Sequence, residues 1–262
     1  MRYETLKLAT DAGLGARARI GMLVLKTDQT IEFEARQVLA HVKGVSLHHA
    51  RLYNDVNITR ETLLAMKPLI PEAARLLPVE WGFKSIGYGC TSGTMVIGEA
   101  EVERLVRSVH PQTPVTNPMT GGLAGLTALG CKRIGVLTPY VKMVNEGIVT
   151  ALKARGFDVT AFASYEEPDD NLVGKISVDE IVRASVALAA NADVDGVFVS
   201  CTSLRTIDAI PRIEATSGKP ATSSNHGMIW HMLRQAGIDE PLGGLGRLFE
   251  RGIAKPARAA AE

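Results

Sequence analysis

The sequence is poor in cysteine, in net charge and in long apolar runs, and each shortage removes a class of function. Three cysteines in 262 residues are too few, and odd in number, for a disulfide framework. None belongs to a CxxC pair, and the six histidines show no ligand spacing with them. His48 and His49 are adjacent, so a strand would point them to opposite faces. No metal site is expected. The net charge is +1, which gives no electrostatic case for nucleic acid or an acidic membrane surface as partner. No apolar run reaches the roughly 20 residues of a membrane span. The segment Met1 to Arg19 carries scattered charges and no signal-peptide core, so the expected setting is cytoplasmic. The glycine-rich stretch Met119–Gly125 lacks GxGxxG spacing, reads as a tight turn opening a helix, and gives no reason to expect a nucleotide cofactor.

What is present is the pattern of an α/β protein. The length suits one large or two modest domains, and 46% hydrophobic residues is ordinary for a globular chain. Short apolar runs predict strands at Ile20–Leu25, Val45–Leu52, Ser85–Gly89, Pro114–Thr116, Arg133–Leu137, Asp158–Phe162, Gly196–Ser200 and Lys219–Ser223. Helical patterns lie between them at Glu32–Val42, Glu99–Val109, Val141–Arg155, Val178–Ala190 and His226–Gln235. In the second of these, Val102, Leu105, Val106 and Val109 form one apolar face. This alternation predicts parallel sheets covered by helices, with any site at the carboxyl ends of the strands. The tail after Arg251 is expected to fray.

Two strand ends carry the same tripeptide, Cys90-Thr91-Ser92 and Cys201-Thr202-Ser203, 111 residues apart. The repeat predicts two similar α/β lobes, each with a cysteine at a strand-to-helix turn. At such a turn the free N–H groups of the helix start attract a carboxylate, the hydroxyls add donors, and a thiol's pKa is lowered. Two opposed thiols suit proton transfer to and from opposite faces of a carbon, one as base and one as acid. The blander reading makes them small buried hydrophobes at strand ends. Cys131 lacks the Thr-Ser partner and reads as structural. His226, after Ser223-Ser224-Asn225, either borders the cleft or belongs to a helix-capping turn with Ser224 or Asn225 as cap. Lys26 sits at a strand end, where most lysines are solvated.

These motifs, together with IGMLVLKTDQTIE, RIGVLTPY, DDNLVGKIS and PATSSNHGMIWHMLR, resemble the aspartate/glutamate racemase superfamily. The nearest branch holds maleate isomerases, arylmalonate decarboxylases and ectoine-utilization racemase-like proteins. The resemblance implies two pseudo-symmetric Rossmann-like lobes with short parallel sheets, the active site in the cleft between them, and no cofactor. It implies a last helical segment that packs back on the first lobe, so residues 1–113 with 221–262 form one lobe and 114–220 the other. Cys90 and Cys201 take the catalytic positions. Thr91, Ser92, Thr202 and Ser203 match carboxylate-cradling turns, and Tyr140 and Asn171 match substrate contacts. A homodimer or higher homo-oligomer is also implied. Decarboxylases of the branch keep only the second cysteine, which disfavours that activity here.

One departure bears on the substrate, expected to be a small carboxylate. Asp28 stands where the isomerases have a carboxylate-binding asparagine. A carboxylate there would repel a second substrate carboxylate and attract an amine. The favoured expectation is therefore racemisation or isomerisation of an amine-bearing acid, with maleate cis–trans isomerisation as the alternative. An arylmalonate-type decarboxylase and a non-catalytic binding protein are further alternatives. Against the amine argument, Asp28 is also well placed to cap the following helix.

Overall fold

The structure is a computed structural model and describes Met1 and residues 3–253. The end of the tail expected to fray, from Ala254, lies outside the described residues. Eight strands form two four-stranded parallel sheets. In the first, β1 (Ala18–Leu25) is flanked by β2 (Val45–Leu52) and β3 (Ser85–Gly89), and β4 (Val115–Thr116) joins at the edge. In the second, β5 (Arg133–Thr138) is flanked by β6 (Asp158–Ser164) and β7 (Gly196–Val199), and β8 (Ala221–Ser223) joins at the edge. The orders β2-β1-β3-β4 and β6-β5-β7-β8 are the same topology used twice. β3 and β7 are buried along their whole length, as parallel strands covered on both faces must be. β6, an edge strand, stays partly exposed.

Eleven α-helices cover the sheets among the described residues. Around the first sheet lie α1 (Ile31–Leu39), α2 (Arg60–Ala65), α3 (Leu69–Arg75), α4 (Thr91–Ile97) and α5 (Glu99–Arg107). Then come α6 (Pro118–Ala128), α7 (Lys142–Ala154), α8 (Asp170–Val173), α9 (Val178–Ala189), α10 (Ala209–Ser217) and α11 (Ser224–Gln235). The expected apolar face of α5 buries Val102, Leu105 and Val106.

Two helices are exchanged between the sheets. α6 follows β4 of the first sheet but packs on β7 and β8, and α11 follows β8 but packs on β3, β4 and α1. The two helices cross with their backbones nearly touching. A Cβ on Gly121 would lie 2.6 Å from the backbone of Met228, and one on Gly227 would lie 2.8 Å from that of Gly122. The glycine-rich stretch therefore serves a helix–helix crossing rather than only a turn. Strand pairing also moves the expected lobe boundaries. β4, placed beyond residue 113, belongs to the first sheet, and β8, placed beyond residue 220, belongs to the second. Each short edge strand stays with its sheet, and the exchange is made by the helix after it. No helix among the described residues is long and apolar enough to cross a membrane.

Candidate active site

The first Cys-Thr-Ser turn is built as the repeat predicts. β3 ends at Gly89, and Cys90 is the N-cap of α4 with an ordinary extended backbone, φ −149° and ψ 115°. Its Sγ accepts the Gly93 N–H at 3.1 Å, and Ser92 Oγ lies 3.8 Å away. Glycine is required at position 93, because a Cβ there would lie 2.8 Å from Cys90 Sγ, from Met66 and from the Tyr88 hydroxyl.

The second turn differs. Cys201 follows β7 by two residues and opens no helix, since α10 starts only at Ala209. Cys201 has φ +142°, a region that a non-glycine residue adopts only under constraint. The Ser203 N–H donates to its Sγ at 3.4 Å, and the Tyr140 hydroxyl faces the same thiol and Thr91. One hydroxyl joins the two turns. Ser224 Oγ, at the start of α11, accepts the Cys201 N–H at 3.0 Å and the Thr91 hydroxyl at 2.9 Å.

Both thiols line a single pocket between the sheets, together with Thr91, Ser92, Tyr140, Thr202 and Ser203. Seven of the nine residues nominated by sequence thus meet in one place. The cavity measures about 30 Å³, room for a water or two. The other two nominations are corrected. Asn171 is not in the lining, and its carbonyl oxygen accepts Gln29 Nε2 at 3.1 Å near the surface. Asp28 is buried outside the lining, where its Oδ1 accepts the N–H groups of Thr30 and Ile31, each at 2.8 Å, at the start of α1. The N-cap of α1 is Thr30, so Asp28 supports the helix start from two residues before the cap; it also faces Thr202 of the second turn, and burial pushes its carboxyl up to about 6.

Two carboxylates line the pocket, the exposed Asp55 and the buried Asp170, and the sequence reading passed over both. Ser203 Oγ donates to Asp170 Oδ1 at 2.6 Å, and Thr27 Oγ1 donates to Oδ2 at 3.0 Å. Asn54 Nδ2 donates to Thr27 Oγ1 at 2.8 Å, and an Asn57–Asp169 bridge joins the same segments beside the pocket. The signal was the Asp-Asp-Asn run at 169–171. Asp169 caps α8, which leaves Asp170 to turn inward. Of the side candidates, His226 is fully buried away from the pocket and donates through Nε2 to the Leu245 carbonyl at 2.6 Å. Ser223, rather than Ser224 or Asn225, is the cap of its helix. Lys26 sits over the Tyr53 ring, 4.6 Å from its centre.

The electrostatics overturn one expectation. Burial pushes both thiols up to about 12, against the lowering expected at the turns. Gly93 N–H and Ser92 favour the Cys90 thiolate, and Tyr140 and the Ser203 N–H favour that of Cys201. Desolvation and the charges of Asp170 and Asp28 outweigh them. Both groups are therefore neutral thiols at physiological pH. No Lys or Arg among the described residues lines the pocket, and its donors there are hydroxyl and N–H groups.

The arylmalonate decarboxylase (Amdase) family model matches residues 47–249, and the chain belongs to that family. An arylmalonate decarboxylase of Bordetella bronchiseptica is 34% identical over 215 residues, 77% of this chain and 89% of the relative. A maleate isomerase of Nocardia farcinica is 27% identical over 253 residues, 91% of this chain and 98% of the relative. A solved Nocardia farcinica maleate cis–trans isomerase mutant with a covalently bound succinylcysteine intermediate superposes with a TM-score of 0.82 at 25% identity, covering 89% of this chain and 98% of that one. The resemblance to the aspartate/glutamate racemase superfamily and the paired-lobe fold are thereby established. Isomerase is the activity class that the maleate isomerase relatives support.

Proposed function

We propose that this family member is a cofactor-independent isomerase that interconverts the cis and trans forms of a small unsaturated acid of the maleate type, with Cys90 as nucleophile and Cys201 as proton carrier. The observation that carries this reading is the convergence of both thiols and their Thr-Ser hydroxyls on one pocket. A decarboxylase with only the second cysteine has no use for Cys90.

The chemistry balances from two neutral thiols. Sulfur of Cys90 bonds to one alkene carbon, and Cys201 delivers its proton to the other. The Cys90 proton then replaces the one that Cys201 gave up. Rotation about the new single bond and reversal of the same transfers release the trans acid, with no net oxidation or reduction. A succinylcysteine, as bound in the Nocardia farcinica relative, is the adduct such an addition to maleate gives. Cys90 suits the nucleophile because negative charge developing on its sulfur meets the Gly93 N–H at the start of α4. Cys201 suits the proton carrier because the Tyr140 hydroxyl faces it.

Asp170 favours a second reading. A carboxylate in the lining, with no cation among the residues around it, suits an ammonium group better than a second carboxylate. The amine argument thus moves from Asp28 to Asp170 and points to racemisation of an amine-bearing acid. Incubation of the purified protein with maleate, and separately with amino acids in heavy water, tests both. Conversion of maleate to fumarate supports the main reading. Deuterium at an amino acid's α-carbon without maleate turnover replaces it with the second. A cytoplasmic setting and a homodimer or higher homo-oligomer form part of this proposal, the first supported by three unpaired thiols.

A further inference from the structure

One interior carboxylate takes no part in the pocket yet reaches the second cysteine turn. Glu34 lies on α1, on the first sheet, and is 1% exposed. Its side chain crosses to the second lobe. Oε1 accepts the backbone N–H groups of Thr206 and of Ile207, the latter at 2.8 Å. Oε2 accepts the Thr206 hydroxyl at 3.2 Å and Asn225 Nδ2 at 2.6 Å. Asn225 Nδ2 also donates to the Thr202 carbonyl at 2.8 Å. Glu34 therefore grips the Cys201 turn twice, through the backbone at 206–207 and through Asn225 at 202. None of these donors is a lysine or arginine, so the carboxylate is held by neutral groups alone, and burial pushes it up to about 7.

The turn needs such a grip. Residues 200–208 belong to no helix or strand, and Cys201 holds φ +142°. A strained backbone persists only where its surroundings fix it. Within the turn the Cys201 N–H is held by Ser224 and the Ser203 carbonyl by the Thr30 hydroxyl. Both are single hydroxyl bonds, and the carboxylate bond from Ser203 Oγ to Asp170 holds a side chain rather than the backbone; each is weaker than a carboxylate that accepts four donors.

We propose that Glu34 is the positioning residue of the second cysteine, a carboxylate of the opposite lobe that holds residues 202–207 so that Cys201 keeps its strained backbone and its aim into the pocket. The inference rests on the reading of Cys201 as proton carrier. Glu34→Gln keeps the size and one acceptor oxygen but turns an NH2 group towards donors, so at least one bond to the turn is lost. The experiment is iodoacetamide labelling read separately at Cys90, Cys131 and Cys201 by peptide mass, with maleate turnover followed alongside. Labelling of Cys201 rises about tenfold or more in the variant, labelling of Cys90 and Cys131 stays within about twofold, and turnover falls about tenfold or more. Glu34→Asp keeps the charge but withdraws the carboxylate by one methylene, and it gives the same Cys201-selective rise should the glutamine variant not fold. A uniform rise at all three cysteines marks a merely structural role and overturns the proposal, as does an unchanged Cys201. If Cys201→Ser turns over maleate at the wild-type rate, the catalytic reading falls, while the labelling ratio still decides what Glu34 does.

Discussion

The two Cys-Thr-Ser turns share sequence and place but not construction. In the first, the fourth residue is Gly93, and α4 winds directly onto the thiol. In the second, the fourth residue is Leu204, fully buried in the core of the second lobe, and the chain there follows no helical path. Identical tripeptides followed by different residues thus give a helix-capping cysteine in one turn and a strained one in the other. The first turn is self-supporting, because its amide donors come from its own helix. The second borrows its support from α11, from Tyr140, from Asp170, from Thr30 and from Glu34. An asymmetric reaction, in which one sulfur bonds to carbon and the other carries a proton, fits this asymmetric pair better than two equivalent bases would.

The largest expected effect tests where the two turns agree. Both thiols titrate near 12, so the labelling rate of each rises about tenfold per pH unit, or about a thousandfold from pH 8 to pH 11. Cys131, also pushed up to about 12, follows the same slope. An unfolded thiol releases its proton near pH 8.5, before the folded one. The unfolded state therefore binds fewer protons in that window, and these groups withdraw stability as pH rises from about 9 towards 12. Labelling of either Cys90 or Cys201 that levels off below pH 9 breaks the account of both as neutral thiols.

The next effect sharpens where the turns differ. Gly93→Ala drives a Cβ against Cys90 Sγ and Tyr88, and lowers turnover of maleate about a hundredfold, because a displaced nucleophile loses its alignment. Leu204→Ala, the matching position of the second turn, touches neither thiol's donors in this way and costs stability first, about 2–5 kcal/mol in a thermal or denaturant melt. Equal kinetic losses with no loss of stability in Leu204→Ala would erase the distinction.

Much of this was legible in the sequence. The eight strands among the described residues overlap the segments expected from the sequence, although β4 and β8 are too short and polar to be apolar runs, and the two motif cysteines share one pocket. Among the features that were not legible, which include the short helices α2, α3, α8 and α10 and the non-helical turn at Cys201, three concern the pocket and have plain physical reasons. Whether an Asp holds a helix start or faces a ligand depends on the direction of the next turn, and Asp28 divides its oxygens, Oδ1 taking the N–H groups before α1 while the side chain also faces Thr202 of the second turn. Asp170 and Asn171 are neighbours in a four-residue helix, and only the packing of that helix against Thr27 and Ser203 decides which one faces inward. The depth of burial that raises both thiols is a property of two lobes closed on each other, while a local motif shows only the donors that would lower them.

The most direct test of the division of labour is to trap the adduct. The Cys201→Ser variant incubated with maleate retains the nucleophile but lacks the second thiol, and mass spectrometry is expected to find a succinyl group on Cys90. The Cys90→Ser variant is expected to carry none on Cys201. A succinyl group on Cys201 and none on Cys90 would reverse the two roles, and full maleate turnover by either variant would contradict the two-cysteine account itself.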